Sequence, residues 1–549
     1  MTTHVGVYPS AALRSRVRLF GALAEALPVR FHELDRLPES PGDPVVVLDA
    51  ELDDPLPGSG CRFIAGASSA DAEVQAVSFG DSPALDARLR MQTLHERSVG
   101  AAALAARDGD DVLASAEGRP VWLQRNEAGL PVDVSAHTPR ELADGEYLRD
   151  RIDPGSFVAL LPLVHFLRDV TAGSAWDPSP TRAAFLVDDP NLHWRSYGYL
   201  DYAELVADAR ANGYHVSIAT VPLDAWYAHR PTVRLFHESR DALSLSVHGN
   251  DHVMHELGRP RTIEEARRVL AQARRRIAAL ERRTGLDVSP VMVPPYEASS
   301  PASLDAILDV GFEAATVTRP CTWLPLDPGA SSYATPDGDD LLSGWHPAEL
   351  TKNGLPLHIR RLFHEHDEIV LRSFLDQPVI LYGHVEDFED GLDPLRKAAA
   401  IVNSLPSVAW GSLGDLATGS FQSRRRGAAL EVRTFGRRIR VPVGPAVTEV
   451  RLVAPPRRSG FANGVQASLA GNMLPVDGDV VALPGGRAEP VALELAWGLG
   501  RSVGGDDVAV GRSSARAVAR RLAVESKDRL RPPLRRRRTR RPTPPTSRT

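Results

Sequence analysis

Cysteine is almost absent from this chain of 549 residues, which has only Cys61 and Cys321, far apart. Nothing in their number or spacing suggests a disulfide framework or a cysteine zinc site, and a reducing compartment fits best. Lysine is equally sparse, limited to Lys352, Lys397 and Lys527. That scarcity matches a GC-rich coding genome and carries no functional weight. Long apolar runs are missing too: the longest, Phe157 to Leu167, is too short to cross a bilayer and contains His165, so it reads as a buried helix. Arg14, Arg16 and Arg18 stand where a secretory leader would keep a continuous apolar stretch. A cytoplasmic protein with no transmembrane segment is the expectation.

What is present points to several folded units. The length calls for about three domains, and a hydrophobic content of 43% permits globular cores. The net charge of −6 conceals an asymmetry, because residues 512–549 hold fourteen Arg or Lys against Glu525 and Asp528. The tail and the body differ in sign.

Residues 1–175 alternate apolar runs such as Val45-Val46-Val47-Leu48 with helical patterns, which predicts an open α/β domain. Its layout loosely resembles amidotransferase-like domains. Cys61 lacks the tight glycine turn that a nucleophile of that kind needs, so a non-catalytic domain is expected. After a Pro/Gly linker, residues 180–422 repeat strand-like and helix-like segments. Strands are predicted at 183–188, 215–221, 243–248, 290–294, 313–318 and 378–383, which implies a parallel (β/α) barrel. Thr262 with Glu265 forms a capping box at the start of one barrel helix. Residues 427–500 change to short alternating runs and predict a small β-sandwich. Residues 505–549, rich in Arg, Pro, Ser and Thr, cannot bury a core of their own and are expected to be disordered, with a short helix available at 513–522. Such a tail can attract an anionic membrane, nucleic acid or the acidic body of its own protein.

In a parallel barrel the strand C-termini gather at one face, so residues distant in sequence become neighbours there. Asp188 and Asp189 end the first predicted strand, His248 and His252 the third, Pro294-Pro295-Tyr296 the fourth, and Tyr382-Gly383-His384 a late one. Two carboxylates and two imidazoles so placed can hold one divalent cation and leave one acid for proton transfer. His255 and Asp251 offer competing ligands in the same stretch.

These motifs resemble those of the polysaccharide deacetylases, carbohydrate esterase family 4, in the glycoside hydrolase/deacetylase barrel superfamily, over about residues 180–420. The resemblance implies that Asp188 is the catalytic base and that Asp189, His248 and His252 bind the metal. It also implies that the Tyr296 backbone N–H stabilises an oxyanion and that His384 protonates the leaving group. Zinc is the first choice of metal, with Co, Ni or Mn as alternatives. Two departures from the family pattern stand out. Val293 occupies the place of an arginine that orients the catalytic aspartate, and Thr322 replaces an aspartate before Trp323. Arg319 is a candidate to supply the absent guanidinium, and Arg360-Arg361 a candidate for an anionic substrate group. Trp194, Tyr197, Tyr199, Trp226, Tyr227, Tyr296 and Trp323 offer stacking surfaces for a sugar. The expected function is metal-dependent hydrolysis of an N- or O-acyl group, a carbon–nitrogen or ester bond, on a saccharide or glycoconjugate. The alternative is a protein that keeps the metal but binds carbohydrate, or scaffolds glycan or envelope biosynthesis, without catalysis.

Overall fold

The structure is a computed structural model that describes residues 2–38, 42–50, 62–66, 75–96, 103–127, 129–144, 146–177, 180–318, 344–351, 353–455, 464–497, 508–511 and 514–539. Cys61, Arg319, Cys321, Thr322 and Trp323 lie outside the described residues.

The N-terminal part forms one mixed sheet of nine strands. Its first half is parallel and its second half is an antiparallel meander, which includes the hairpin Asp111–Ala116 with Arg119–Glu127. The apolar segment that reads as a buried helix is one: Leu161–Thr171, with His165 inside. Arg88 and Arg168 from this part both bond Asp376 of the following barrel, tying the two together.

The barrel strands are β1 (Thr181–Asp188), β2 (Val216–Thr220), β3 (Leu243–His248), β4 (Val288–Val293), β5 (Ala314–Val317), β6 (Pro356–Leu362) and β7 (Val379–Gly383). All are parallel to their neighbours, and β1 pairs with both β2 and β7, which closes the ring. β8 (Val408–Trp410) pairs with the start of β1 outside that ring. Side chains alternate as the pleat requires. Ala183, Phe185 and Val187 pack outward under the helices, while Ala184 and Leu186 join Val291, Val293, Ile380 and Tyr382 in the barrel interior. The helix Ile263–Thr284 starts at the predicted capping box, with Glu265 N–H on Thr262 at 3.2 Å and Thr262 N–H on Glu265 at 2.9 Å.

Strand β6 is absent from the sequence expectation, because His358, Arg360 and Arg361 interrupt its apolar run. Leu357 and Ile359 nevertheless point outward into the main core, and His358 and Arg360, each 1% exposed, point into the barrel. Beyond the barrel, a five-stranded and a four-stranded sheet enclose their own core, including Val432, Val441, Val450 and Leu493, as a β-sandwich. In the segment expected to be disordered, Ala515–Thr539 is instead helical. Its first half has no core of its own and lies on the barrel. Among the described residues no helix is long and apolar enough to cross a membrane.

Candidate metal centre

Asp188 is the last residue of β1, and by the strand's alternation it faces the interior above Leu186. It is 2% exposed. Its Oδ2 accepts from Arg360 Nη1 at 2.8 Å, while Oδ1 is buried without a hydrogen-bond partner. Arg360 reaches it from β6, two strands away, by crossing the face of Tyr382 on the intervening β7, with the guanidinium 4.0 Å from the ring centroid. Val293, on β4, fills the interior with an aliphatic side chain, and the guanidinium that holds the aspartate comes instead from β6. Arg360 therefore does not present its charge to an external anion. Arg361 is structural as well, bonded to the Thr318 carbonyl at 2.6 Å and to Glu368 at 3.1 Å.

Asp189 leaves the strand with φ +85°, which swings its carboxylate towards β3. Its Oδ1 lies 3.1 Å from His252 Nε2 and 3.9 Å from His248 Nε2. One donor atom from each of the three residues falls within 4.8 Å of the others. His248 donates from Nδ1 to the Val293 carbonyl at 2.9 Å, which fixes the ring and leaves Nε2 facing Asp189. The loop between the histidines is shaped by buried Glu256, which accepts from the N–H groups of Asn250, Asp251 and Val253. Gly249, at φ +60°, allows that loop to press on the double proline: a Cβ there would stand 2.4 Å from Pro295 Cγ. Backbone strain concentrates at the site. Of ten non-glycine residues with positive φ among those described, four are Asp189, His252, His255 and Tyr296, which marks a geometry held by its surroundings.

The donor set fits a dication. In a tetrahedral zinc site with bonds near 2 Å, ligand atoms stand ~3.3 Å apart, bracketed by the separations from Asp189 to the two rings. Asp189 Oδ1 is buried with no hydrogen bond, as a reserved ligand atom would be. Asp251 does not compete, because it is paired with Arg276 at 2.7 Å. His255 packs against Tyr296 rather than joining the three. Burial lowers the His248 pKa and pushes His252 down to about 3, so both rings are neutral. Burial also works against the Asp189 anion, yet the positive surroundings of that carboxyl, the fixed Arg521 guanidinium among them, hold it below its ordinary value.

Tyr296 stacks on His252, with ring centroids 5.6 Å apart, and is half exposed. His384 follows β7 at the same rim, exposed, with its N–H on Asp387 at 2.8 Å. Of the aromatic residues expected to offer stacking surfaces, Trp226 and Tyr227 are exposed beside His193, whereas Tyr197 is buried.

Three of the site's partnerships were not read from the sequence. Arg360 sits on the unread strand, where the alternation of Leu357 and Ile359 with His358 and Arg360 was the available signal. Glu256 shapes a loop and gave none. Arg521, from the basic C-terminal helix, bonds Asp224 at 2.7 Å and the Asp189 carbonyl at 2.7 Å. Of the three anionic partners expected for the tail, the body of its own protein is the one in contact here.

No family model matches the chain, and no curated protein does. Solved structures with similar barrels include several deacetylases. A Mycobacterium smegmatis protein described as a polysaccharide deacetylase is 16% identical, covers 45% of this chain and 92% of its own, and superposes with a TM-score of 0.30. A Streptococcus mutans family 4 carbohydrate esterase is 12% identical over 43% of this chain and 87% of its own, at a TM-score of 0.23. A 4-α-glucanotransferase from Thermococcus litoralis is also similar, 11% identical over 43% of this chain and 40% of its own, at a TM-score of 0.28.

Proposed function

We propose that this protein is a metal-dependent hydrolase that removes an N- or O-acyl group from a saccharide or glycoconjugate. One observation carries the reading: a buried acid, Asp188, held by Arg360 through one oxygen and free at the other, adjoins the three-donor cluster of Asp189, His248 and His252. Those three residues would hold the dication, and two imidazoles with one carboxylate suit zinc. When bound, such an ion supplies Lewis acidity for activating water and polarising an acyl carbonyl.

The remaining groups belong to the chain. Asp188 Oδ1 is the proton acceptor, and Arg360 fixes the other oxygen so that the free one keeps a single direction. Arg360 is a positioning residue, acting through Asp188. The Tyr296 backbone N–H serves the developing oxyanion, and His384, at the open rim, gives its own proton to the leaving amine or alcohol, while the proton taken from water stays on Asp188 until solvent exchange resets both groups. Trp226 and Tyr227 provide apolar faces for sugar rings. The experiment is metal analysis of the purified chain together with acetate release from N- and O-acetylated saccharides. Asp188→Asn should abolish release while retaining metal. Undiminished turnover in that variant removes Asp188 as the base, and a chain that binds no dication removes the whole reading.

A non-catalytic carbohydrate-binding role is favoured by one feature, the helix that bears Arg521 against the Asp189 carboxylate. Saccharide binding without acetate release in the same assay would select it.

A further inference from the structure

The helix Ala515–Thr539 lays one face on the barrel mouth. Ala517, Arg521, Glu525 and Asp528 are all less than a tenth exposed, and their spacing of three to four residues is that of a helix seated on a surface. Each polar member of that face meets a residue near the metal centre. Glu525 lies 3.1 Å from His193 Nδ1, while His193 Nε2 faces the Asp224 carbonyl. Tyr197 donates to Asp528 at 3.1 Å. At the edge of the face, Arg520 donates to the His252 carbonyl at 3.0 Å and to the Tyr296 hydroxyl at 3.2 Å. The helix thus bonds two of the three ligand-bearing segments and the tyrosine beside them.

Arg521 makes the contact with direct chemical consequence. Its Nε is anchored on Asp224, and its Nη1 stands 3.6 Å from Asp189 Oδ1, too far for a hydrogen bond. Both atoms are buried, and neither has a hydrogen-bond partner. The same oxygen faces His248 and His252. A fixed guanidinium and a dication cannot share it without repulsion, and burial leaves little water to screen them.

We propose that the C-terminal helix is a self-docked cover of the metal centre and that Arg521 competes with the dication for Asp189. Metal binding and helix docking then oppose one another, and the centre opens to substrate as the helix lifts. This rests on the reading of Asp189, His248 and His252 as a metal site.

The test titrates the full chain, freed of metal by chelator and dialysis, with Zn²⁺ by calorimetry, and follows hydrogen exchange over residues 515–528. Arg521→Met should bind Zn²⁺ at least ~10-fold more tightly than the parent. Asp528→Ala, which loosens the helix away from the ligands, should tighten binding by a smaller factor. Saturating Zn²⁺ should accelerate exchange over 515–528 in the parent. Equal affinity in all three proteins with unchanged exchange overturns the inference while leaving the metal site standing. Weaker binding by Arg521→Met also overturns it, because Arg521 would then support Asp189 rather than oppose the ion. If none of the three binds Zn²⁺, the functional reading fails with it.

Discussion

Arg360→Met removes the guanidinium that holds Asp188 but keeps most of the side chain's volume. The pair is 1% and 2% exposed, so the variant strands a carboxylate in the barrel interior at a cost of about 3–5 kcal/mol. A second contribution is lost with it: the desolvated contact with the Tyr382 face, at 4.0 Å, is worth about 2 kcal/mol whatever stands at position 188. The single variant should therefore lose about 5–7 kcal/mol of barrel stability. In an Asp188→Asn background the same change should cost the ring contact and one guanidinium–amide hydrogen bond, offset in part by removal of a buried cation without its counter-ion, about 3 kcal/mol in all. The coupling between the two sites is then about 2–4 kcal/mol. Hydrogen exchange of the amides of Thr181–Asp188 reports it, because it reads the barrel rather than the unfolding of a multi-domain chain. If the two substitutions add within about 0.5 kcal/mol, the buried pair is not what holds Asp188. Arg360→Lys supplies the functional counterpart: it keeps the charge without the fork, and should lower kcat for acetate release with little change in KM.

Asp189→Ala or His248→Ala should leave the barrel folded and abolish stoichiometric zinc, measured by elemental analysis after gel filtration; full zinc in either variant would displace that residue from the ligand set. Gly249→Ala forces a Cβ onto Pro295 at a positive φ and should cost about 2 kcal/mol or more while weakening metal binding, so unchanged affinity would show that the loop has another resting place. Burial above all pushes His165 down to about 4, and its Nε2 accepts the Asp86 N–H at 3.0 Å, which only the neutral ring can do. The unfolded chain titrates this ring near 6.5 and so binds more protons between that pH and 4. Its contribution is complete above 6.5 and falls as the pH drops towards 4, by at most about 3 kcal/mol. His165→Gln should flatten the pH dependence of thermal unfolding over that window, and an equally steep decline in the variant would refute the assignment.

The sequence by itself determined the elements whose chemistry is local. Short apolar runs alternating with helix-like segments announced six of the seven barrel strands, the Thr262–Glu265 box set the start of a helix, and the aspartates and histidines at strand ends announced their convergence. Parallel strands joined by crossover helices bring their C-termini to one face, so the end of a strand is a position in space as well as in sequence. Only the tertiary structure decided the charges. Arg360 reads as a binder of an anionic substrate group or a partner in a surface salt bridge, because a guanidinium is seldom buried. Its burial depends on Asp188, which is 172 residues away and becomes its partner only when the ring closes. Arg521 reads as part of a tail without a fold because its helix has no core of its own. The acids of the barrel mouth supply what the segment lacks, over a separation of 297 residues for the bond to Asp224. The candidate ligands were legible because each belongs to a local pattern. The cations that govern them were not, because their partners are chosen by closure of the barrel and docking of the helix.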